Sequence, residues 1–493
     1  MKQHLLRISA FAAGLALTAV ARADGGYYDG VKGAHASGRG GAFTASADDV
    51  SAVELNPAGL THIGTTIIQI GNRFSYNQHN YTRNPTLDWG SKDSTPPYVQ
   101  FPTVHNQTPW QALDPFIGVA SNFGLKDWAF AGAIYSPAGT AREVYPDSGG
   151  QRYMMVRRNA QMIDYALSAA WKHNELFGIG ATLKMIAVPS LEYALIIDGS
   201  PYSNTANPVR SDLDIRADVK GSDLFTLNAI LGAWVRPTPN LEIGLSGQIL
   251  PSEIHTNSKL SVAFANPPND PTFDNHITLQ RGNTPANDVS LELPLPMNAR
   301  LGVRYRQVDG DHELFDVEVD GVYETWSRVK TFRLDSNGLT AHYHGQTVPI
   351  GVIDLAKEWQ NTFGLHLGGD FAVVPKRFTV RAGVYYETPV SDPAYANIDF
   401  PQGPQMGGAL GASIYIGKVE VALATEYRTQ SQVYVSDSDS RVYQQVPGSA
   451  CKAPYTDPSK CNAQYLGIPA PPVNGGTYNA YSLVGTLEAQ YRF

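Results

Sequence analysis

No stretch of this chain is long and apolar enough to cross a membrane as a helix. The nearest approach is Ile8–Val20, 13 residues where a spanning helix needs roughly 20. Charge is also sparse: 17% of residues are charged and the formal net charge is −8. It falls to −11 once Lys2, Arg7 and Arg22 are set aside, which excludes a nucleic-acid partner. Catalytic signatures are missing. There is no G-x-S-x-G elbow, no phosphate-cradling G-x-x-x-x-G-K and no H-E-x-x-H, so no enzyme and no cofactor is expected. Cysteine is nearly absent. Cys451 and Cys461 are the only two, and in an oxidising compartment their spacing suits one loop-closing disulfide, with two free thiols as the plainer alternative.

Residues 1–23 carry an export pattern. Lys2 and Arg7 precede the apolar Ile8–Val20 run, and Ala21-Arg22-Ala23 supplies a small-residue cleavage site. An exported chain without a spanning helix can enter a bilayer only as a closed barrel, because every backbone polar group must be paired inside the hydrocarbon. The remaining composition suits many strands joined by turns, with 46 glycines and 26 tyrosines.

From residue 64 onward the pattern alternates with period 2. Ala299, Leu301, Val303 and Tyr305 share one face of a strand, while Arg300, Arg304 and Arg306 share the other. The next segment sets Phe315, Val317, Val319 and Tyr323 against Asp316, Glu318 and Asp320. Alternation alone also fits a soluble sandwich. The connections decide between the two. Short turns at Gly124–Asp127, His173–Glu175, Pro237–Asn240, Asp309–Asp311, Pro375–Lys376 and Gly417–Lys418 separate long polar loops near 79–114, 137–159, 189–222, 255–290, 331–358, 389–405 and 431–478. Sorting of this kind marks an outer-membrane barrel, with 14 antiparallel strands and the short turns periplasmic. An Arg facing lipid at the midplane costs roughly 2–4 kcal/mol, so Arg300, Arg304 and Arg306 must face the lumen, where Asp316, Glu318 and Asp320 can pair with them. Tyr323, Trp326, Tyr385, Tyr386, Tyr415, Tyr427 and Tyr491 are expected at the two membrane interfaces.

The stretch Ser37–Leu60, SGRGGAFTASADDVSAVELNPAGL, stands apart. It is rich in small residues, begins with Gly38, Gly40 and Gly41, and closes on Asn56-Pro57-Ala58-Gly59, which suits a segment packed closely inside something larger. The whole run resembles the N-terminal hatch of the FadL/TodX-like family, outer-membrane channels for long-chain fatty acids and aromatic hydrocarbons. Gly321–Ser327 and Arg377–Val390 look like that family's later strands, and the terminal Tyr491-Arg492-Phe493 matches the aromatic signal read by barrel-assembly machinery. The resemblance implies a signal peptide at 1–23, a hatch at 24–63 and a 14-stranded transmembrane barrel at 64–493. It further implies passive uptake of hydrophobic compounds by a monomer in the outer membrane of a Gram-negative bacterium, in contact with outer-membrane lipid and lipopolysaccharide.

Candidate residues follow. Asn56, Pro57 and Ala58 would shape the contact between hatch and wall; Phe43, Val53 and Leu55 would line a pocket floor. The resemblance implies lateral release at a kinked third strand, here Asp127–Ser136, with Pro137 and Gly139 breaking the pairing; the plainer alternative is that Pro137 begins a loop. Arg300, Arg304 and Arg381 are candidate anchors for a carboxylate or members of a lumenal salt-bridge network. Tyr153, Met154, Met155 and Val156 are candidates for an outer groove, since Met suits pliable apolar binding. Asp48-Asp49 reads as a hatch turn, and His342 and His344 as loop histidines more than a metal site. The Ser436–Ser440 run reads as a solvated loop more than a divalent-ion bridge to lipopolysaccharide. Two competing readings are a general porin, which a plugged lumen opposes, and an adhesin or structural barrel whose long loops bind partners.

Overall fold

The computed structural model of the chain describes residues 31–87, 98–137, 142–198, 214–267, 269, 271–310, 312–343, 345–400, 403–443 and 472–493. The expected leader, Gly139, His344, Cys451 and Cys461 lie outside the described residues.

Fourteen antiparallel strands close into one barrel. They are β1 (Ile67–Arg83), β2 (Pro115–Ser121, preceded by Val104–His105 and Trp110–Gln111), β3 (Trp128–Tyr135, resumed at Glu143–Val144), β4 (Arg157–His173) and β5 (Phe177–Asp198). Next come β6 (Asp214–Thr238), β7 (Leu241–Gln248 and Glu253–Phe264), β8 (Asp288–Pro294 and Asn298–Asp309) and β9 (His312–Glu324 and Thr331–Asp335). The ring continues through β10 (Ile353–Ala356 and Thr362–Val374), β11 (Phe378–Glu387), β12 (Gln405–Ile416), β13 (Val419–Gln430) and β14 (Gly476–Arg492). Closure is made by β14 on β1, in register from Ile67↔Arg492 to Arg83↔Gly476. Among the described residues, no helix is long and apolar enough to cross a membrane.

Alternation along each strand sorts the faces. On β8, Leu301, Val303 and Tyr305 are exposed on the outside, while Arg304 is buried on the inside. All six short connections fall on one rim, where the strands reverse through left-handed residues such as Gly310 and Gly417, both at φ 63°. The opposite rim differs from expectation. Residues 189–198, 214–222, 255–264, 288–290 and 331–335, read as polar loop, belong to strands that extend the barrel wall. Their inward residues are apolar (Leu191, Val219, Leu260, Leu291, Leu334), but their outward ones are polar, as in the Lys220–Glu192 pair at 3.0 Å. Beyond the lipid the outer face meets water, so the apolar half of the alternation that marks a membrane strand is lost.

Three of the expected interface aromatics turn inward: Tyr415, half-buried on the parity of Ser413 and beside the lumenal Glu420, Tyr385 and Trp326. Tyr385 shares its parity with Arg381 and Gly383; it stacks on His366 at 5.3 Å and donates to Glu426. Trp326 is fully buried, edge-on to Trp359 at 5.3 Å, and donates to Glu324 at 2.6 Å. Tyr323, Tyr427 and Tyr491 are exposed on the outside.

Residues 31–66 lie inside this ring. They form α1 (Ala34–Gly38), α2 (Ala52–Leu55) and a 3-10 turn over Pro57–His62, and nearly every side chain is buried.

Candidate functional site: the inner segment and the apolar cavity beside it

The inner segment follows the wall, meeting one strand after another. Ala34 N–H donates to Glu488 of β14 at 2.9 Å, and the Phe43 and Thr44 N–H groups both donate to Asp320 of β9 at 2.9 Å. Val50 N–H donates to Gln69 of β1 at 2.8 Å. Short helices leave many backbone donors unpaired, and inward carboxylates of the barrel supply the acceptors. Glycines of the wall make room for the approach. A Cβ on Gly180 would come 2.5 Å from Ala58 N, one on Gly244 2.5 Å from Thr44 O, and one on Gly118 2.7 Å from Val50 Cγ1. Each value is closer than non-bonded atoms allow, so a side chain there would push the segment off the wall.

Asn56, Pro57 and Ala58 sit at this contact. Asn56 Nδ2 donates to Thr44 O at 2.8 Å and to Ala233 O of β6 at 3.1 Å, while its Oδ1 accepts from Ala58 N–H at 3.2 Å. Asn56 therefore caps the following turn and ties it to β6. Trp234 of the same strand donates to Ala58 O at 3.1 Å. Phe43, Val53 and Leu55 are buried in an apolar cluster that the segment shares with wall residues such as Ile67, Phe116 and Tyr135.

The charged residues are organised around Arg39, which the sequence reading did not single out. Its guanidinium donates to Asp316 at 2.9 Å, Glu318 at 3.0 Å and Asp370 at 2.8 Å. These carboxylates hold Arg39 above its usual range against the cost of burial. The expected pairing of three arginines with Asp316, Glu318 and Asp320 is therefore corrected. Arg304 pairs with Asp316 at 2.6 Å and with Glu313, whereas Glu318 and Asp320 serve the inner segment. Arg381 lies in the same network, 2.9 Å from Asp370. Arg300 is different. It is half-buried on the inward face of β8 and makes no hydrogen bond or ion pair among the described residues, although its charge acts on Glu54.

An apolar cavity of about 150 Å³ lies between the strand extensions on the long-loop side of this segment. Val188, Leu191, Ile254, Leu260, Leu293 and Phe332 typify its lining; Arg158 is its inward charged residue, while the Glu192 side chain turns outward to Lys220. None of Phe43, Val53 and Leu55 lines it. The sequence signal for it lay in apolar residues at alternate positions within segments otherwise read as loops. Two cations stand against its aromatic lining. Arg158 lies 4.2 Å from the Phe400 ring and donates to Glu143 at 2.8 Å. Lys357 lies 4.6 Å from the Phe332 ring, pairs with Asp399, and is pushed below the usual lysine range by burial. The Tyr193 hydroxyl, with one hydrogen to give, lies 3.2 Å from Met154 O and 3.4 Å from Asp399. Met154 and Met155 are buried beside this cluster.

The wall is interrupted at β3. Ser136 N–H donates to Pro115 O at 3.3 Å, and pairing with the β2 side resumes at Gln107 N–H to Val144 O, 2.9 Å. Among the described residues no backbone hydrogen bond joins the two strands between these points; Pro137, buried, stands at the start of the interruption. Of the remaining candidates, His342 hydrogen-bonds Thr340 at 3.1 Å and Thr347 at 2.9 Å. Asp439 and Ser436 close a turn on each other at 2.7 Å.

A closed ring of 14 strands, apolar outside and charged within, is an integral β-barrel of the outer membrane. Residues 14–470 match the family described as outer membrane protein transport protein (OMPP1/FadL/TodX), and the chain belongs to that family. Similar solved structures include a Pseudomonas aeruginosa FadL homologue, with a TM-score of 0.69 at 18% identity over 95% of this chain and 100% of that one. The Pseudomonas putida toluene transporter TodX gives 0.61 at 11% identity, over 94% and 99%. The Ralstonia pickettii toluene transporter TbuX gives 0.56 at 14%, over 94% and 98%. No curated sequence matches the chain. At these identities the structures establish the shared fold.

Proposed function

We propose that this barrel is a channel for passive uptake of hydrophobic compounds, and that its substrates are long-chain fatty acids. In this reading residues 24–63 act as a hatch across the lumen, and substrate leaves sideways at the β2–β3 interruption. The apolar cavity carries the proposal. A fatty acid holds its transfer energy in its tail, at about 0.8 kcal/mol per buried methylene. A cavity of about 150 Å³ takes roughly five methylenes, which supply about 4 kcal/mol before the entropy of binding is subtracted. Arg158, in the cavity lining and set against Phe400, gives that tail a cationic end to orient its carboxylate.

A second reading has support of its own. An apolar cavity of about 150 Å³ admits a benzene-sized molecule, and two of the similar structures are named toluene transporters. Uptake of labelled oleate and labelled toluene into cells producing the protein or its Leu260→Trp variant separates the two. Filling the cavity should cut oleate entry at least tenfold while the barrel still shows heat-modifiable gel migration. Loss of toluene entry alone supports the aromatic substrate, and unchanged entry of both removes the cavity from transport.

A further inference from the structure

Three side chains outside the cavity converge at one point within the barrel. His35 lies on α1, Asp49 in the turn before α2, and Glu488 on β14. One ligating atom from each lies within 4.8 Å of the others, and all three residues are buried. His35 is oriented from behind, its Nε2 standing 2.6 Å from Glu420 Oε1. Its other nitrogen, Nδ1, faces Asp49 Oδ2 at 3.3 Å.

The two oxygens of Asp49 are treated differently. Oδ1 accepts from the Ser51 N–H at 2.8 Å and from the Ser51 hydroxyl at 2.5 Å. Oδ2 is shut off from solvent and accepts no hydrogen bond. Asp49 itself is 0% exposed, so this oxygen is a desolvated acceptor aimed at His35 and Glu488, with the His35 Nδ1 contact at 3.3 Å but no hydrogen bond. Glu488 is fixed by Ala34 N–H at 2.9 Å and by Gln490 at 2.9 Å, each bond leaving a lone pair free on its oxygen. Glu420 has Arg381 at 3.7 Å, whereas Glu488 forms no ion pair among the described residues. Two buried carboxylates thus face one imidazole.

A carboxylate that holds one ring nitrogen as donor leaves the other to present its lone pair, which is how metal-binding histidines are set. We propose that His35 Nδ1, Asp49 Oδ2 and the Glu488 carboxylate bind a first-row divalent transition ion of the zinc type, with Glu420 as the group that positions His35. Two carboxylates balance the charge of a dication, and an imidazole ligand favours zinc over calcium or magnesium, which take oxygen. Because two ligands belong to the inner segment and the third to the wall, the ion would pin that segment to β14. The inference does not depend on which compound the channel carries.

The test uses the full-length barrel in detergent micelles, carrying no histidine tag, stripped with chelator and titrated calorimetrically with zinc chloride. One zinc per chain is expected. Asp49→Asn should weaken binding at least tenfold, and Glu420→Gln by roughly 10–100-fold. Wild-type protein that takes up no zinc, or an Asp49→Asn variant that binds equally well, overturns the proposal. X-ray absorption at the zinc edge of the wild type tests it without any variant. Imidazole nitrogen and carboxylate oxygen at about 2.0–2.2 Å support the site, and a shell of water oxygens alone overturns it.

Discussion

Arg39 Nη1 and Asp316 Oδ1 are 277 residues apart in sequence and 2.9 Å apart inside the barrel. The bond joins the inner segment to β9, with Glu318 and Asp370 completing the guanidinium's shell. Removing one partner of such a buried group strands the others without compensation, at a cost of roughly 3–5 kcal/mol. Arg39→Ala should therefore loosen residues 31–66 while the barrel remains closed. Hydrogen exchange should show faster amides in that segment and unchanged protection in β11–β14.

Asn56 provides three hydrogen bonds at the turn against β6. Asn56→Ala leaves the Thr44 and Ala233 carbonyls buried without this donor, costing roughly 1–3 kcal/mol. Substrate entry should change with normal heat-modifiable migration. Entry at the wild-type rate would detach this turn from gating.

Of the three arginines first considered as anchors, only Arg300 is clear of the salt-bridge network among the described residues. Arg300 does not line the cavity, where Arg158 supplies the cationic end, so Arg300→Ala should leave fatty-acid and toluene binding alike unaltered, and a selective loss of fatty-acid binding would reinstate it as the anchor. Arg304→Ala should instead destabilise the lumen, since Asp316 and Glu242 both rely on it. Equal effects of Arg300→Ala on both ligands would exclude the anchor role.

Glu54 of α2 has an Oε2 that is buried without a hydrogen bond, and burial raises its carboxyl above the usual range. The folded state therefore favours the protonated form. Stability from this group is full below about pH 4.5 and is lost as pH rises through the raised value. Glu54→Gln should raise the urea midpoint at pH 8 relative to wild type and lose that advantage at pH 4. An equal shift at both pH values would show that charge is not the cause.

Much of this was legible in the chain. Period-2 alternation and the short turns gave the barrel, and the Arg300–Arg306 and Asp316–Asp320 runs marked the inward face. Adjacent aromatics were harder, because Tyr385 and Tyr386 cannot both face outward from one strand. The strand extensions were missed because an outer surface in water carries polar residues, as loops do.

The sequence by itself determined that the protein is exported, that it spans the membrane with strands, and that Ser37–Leu60 is built for close packing. These follow from local periodicity and side-chain size. Only the tertiary structure decided which carboxylate meets which cation. Arg39 finds Asp316, and His35 finds Asp49 and Glu420, because barrel closure brings strands from distant parts of the chain around one small segment. Partners set by closure leave no spacing in the sequence from which they could be read.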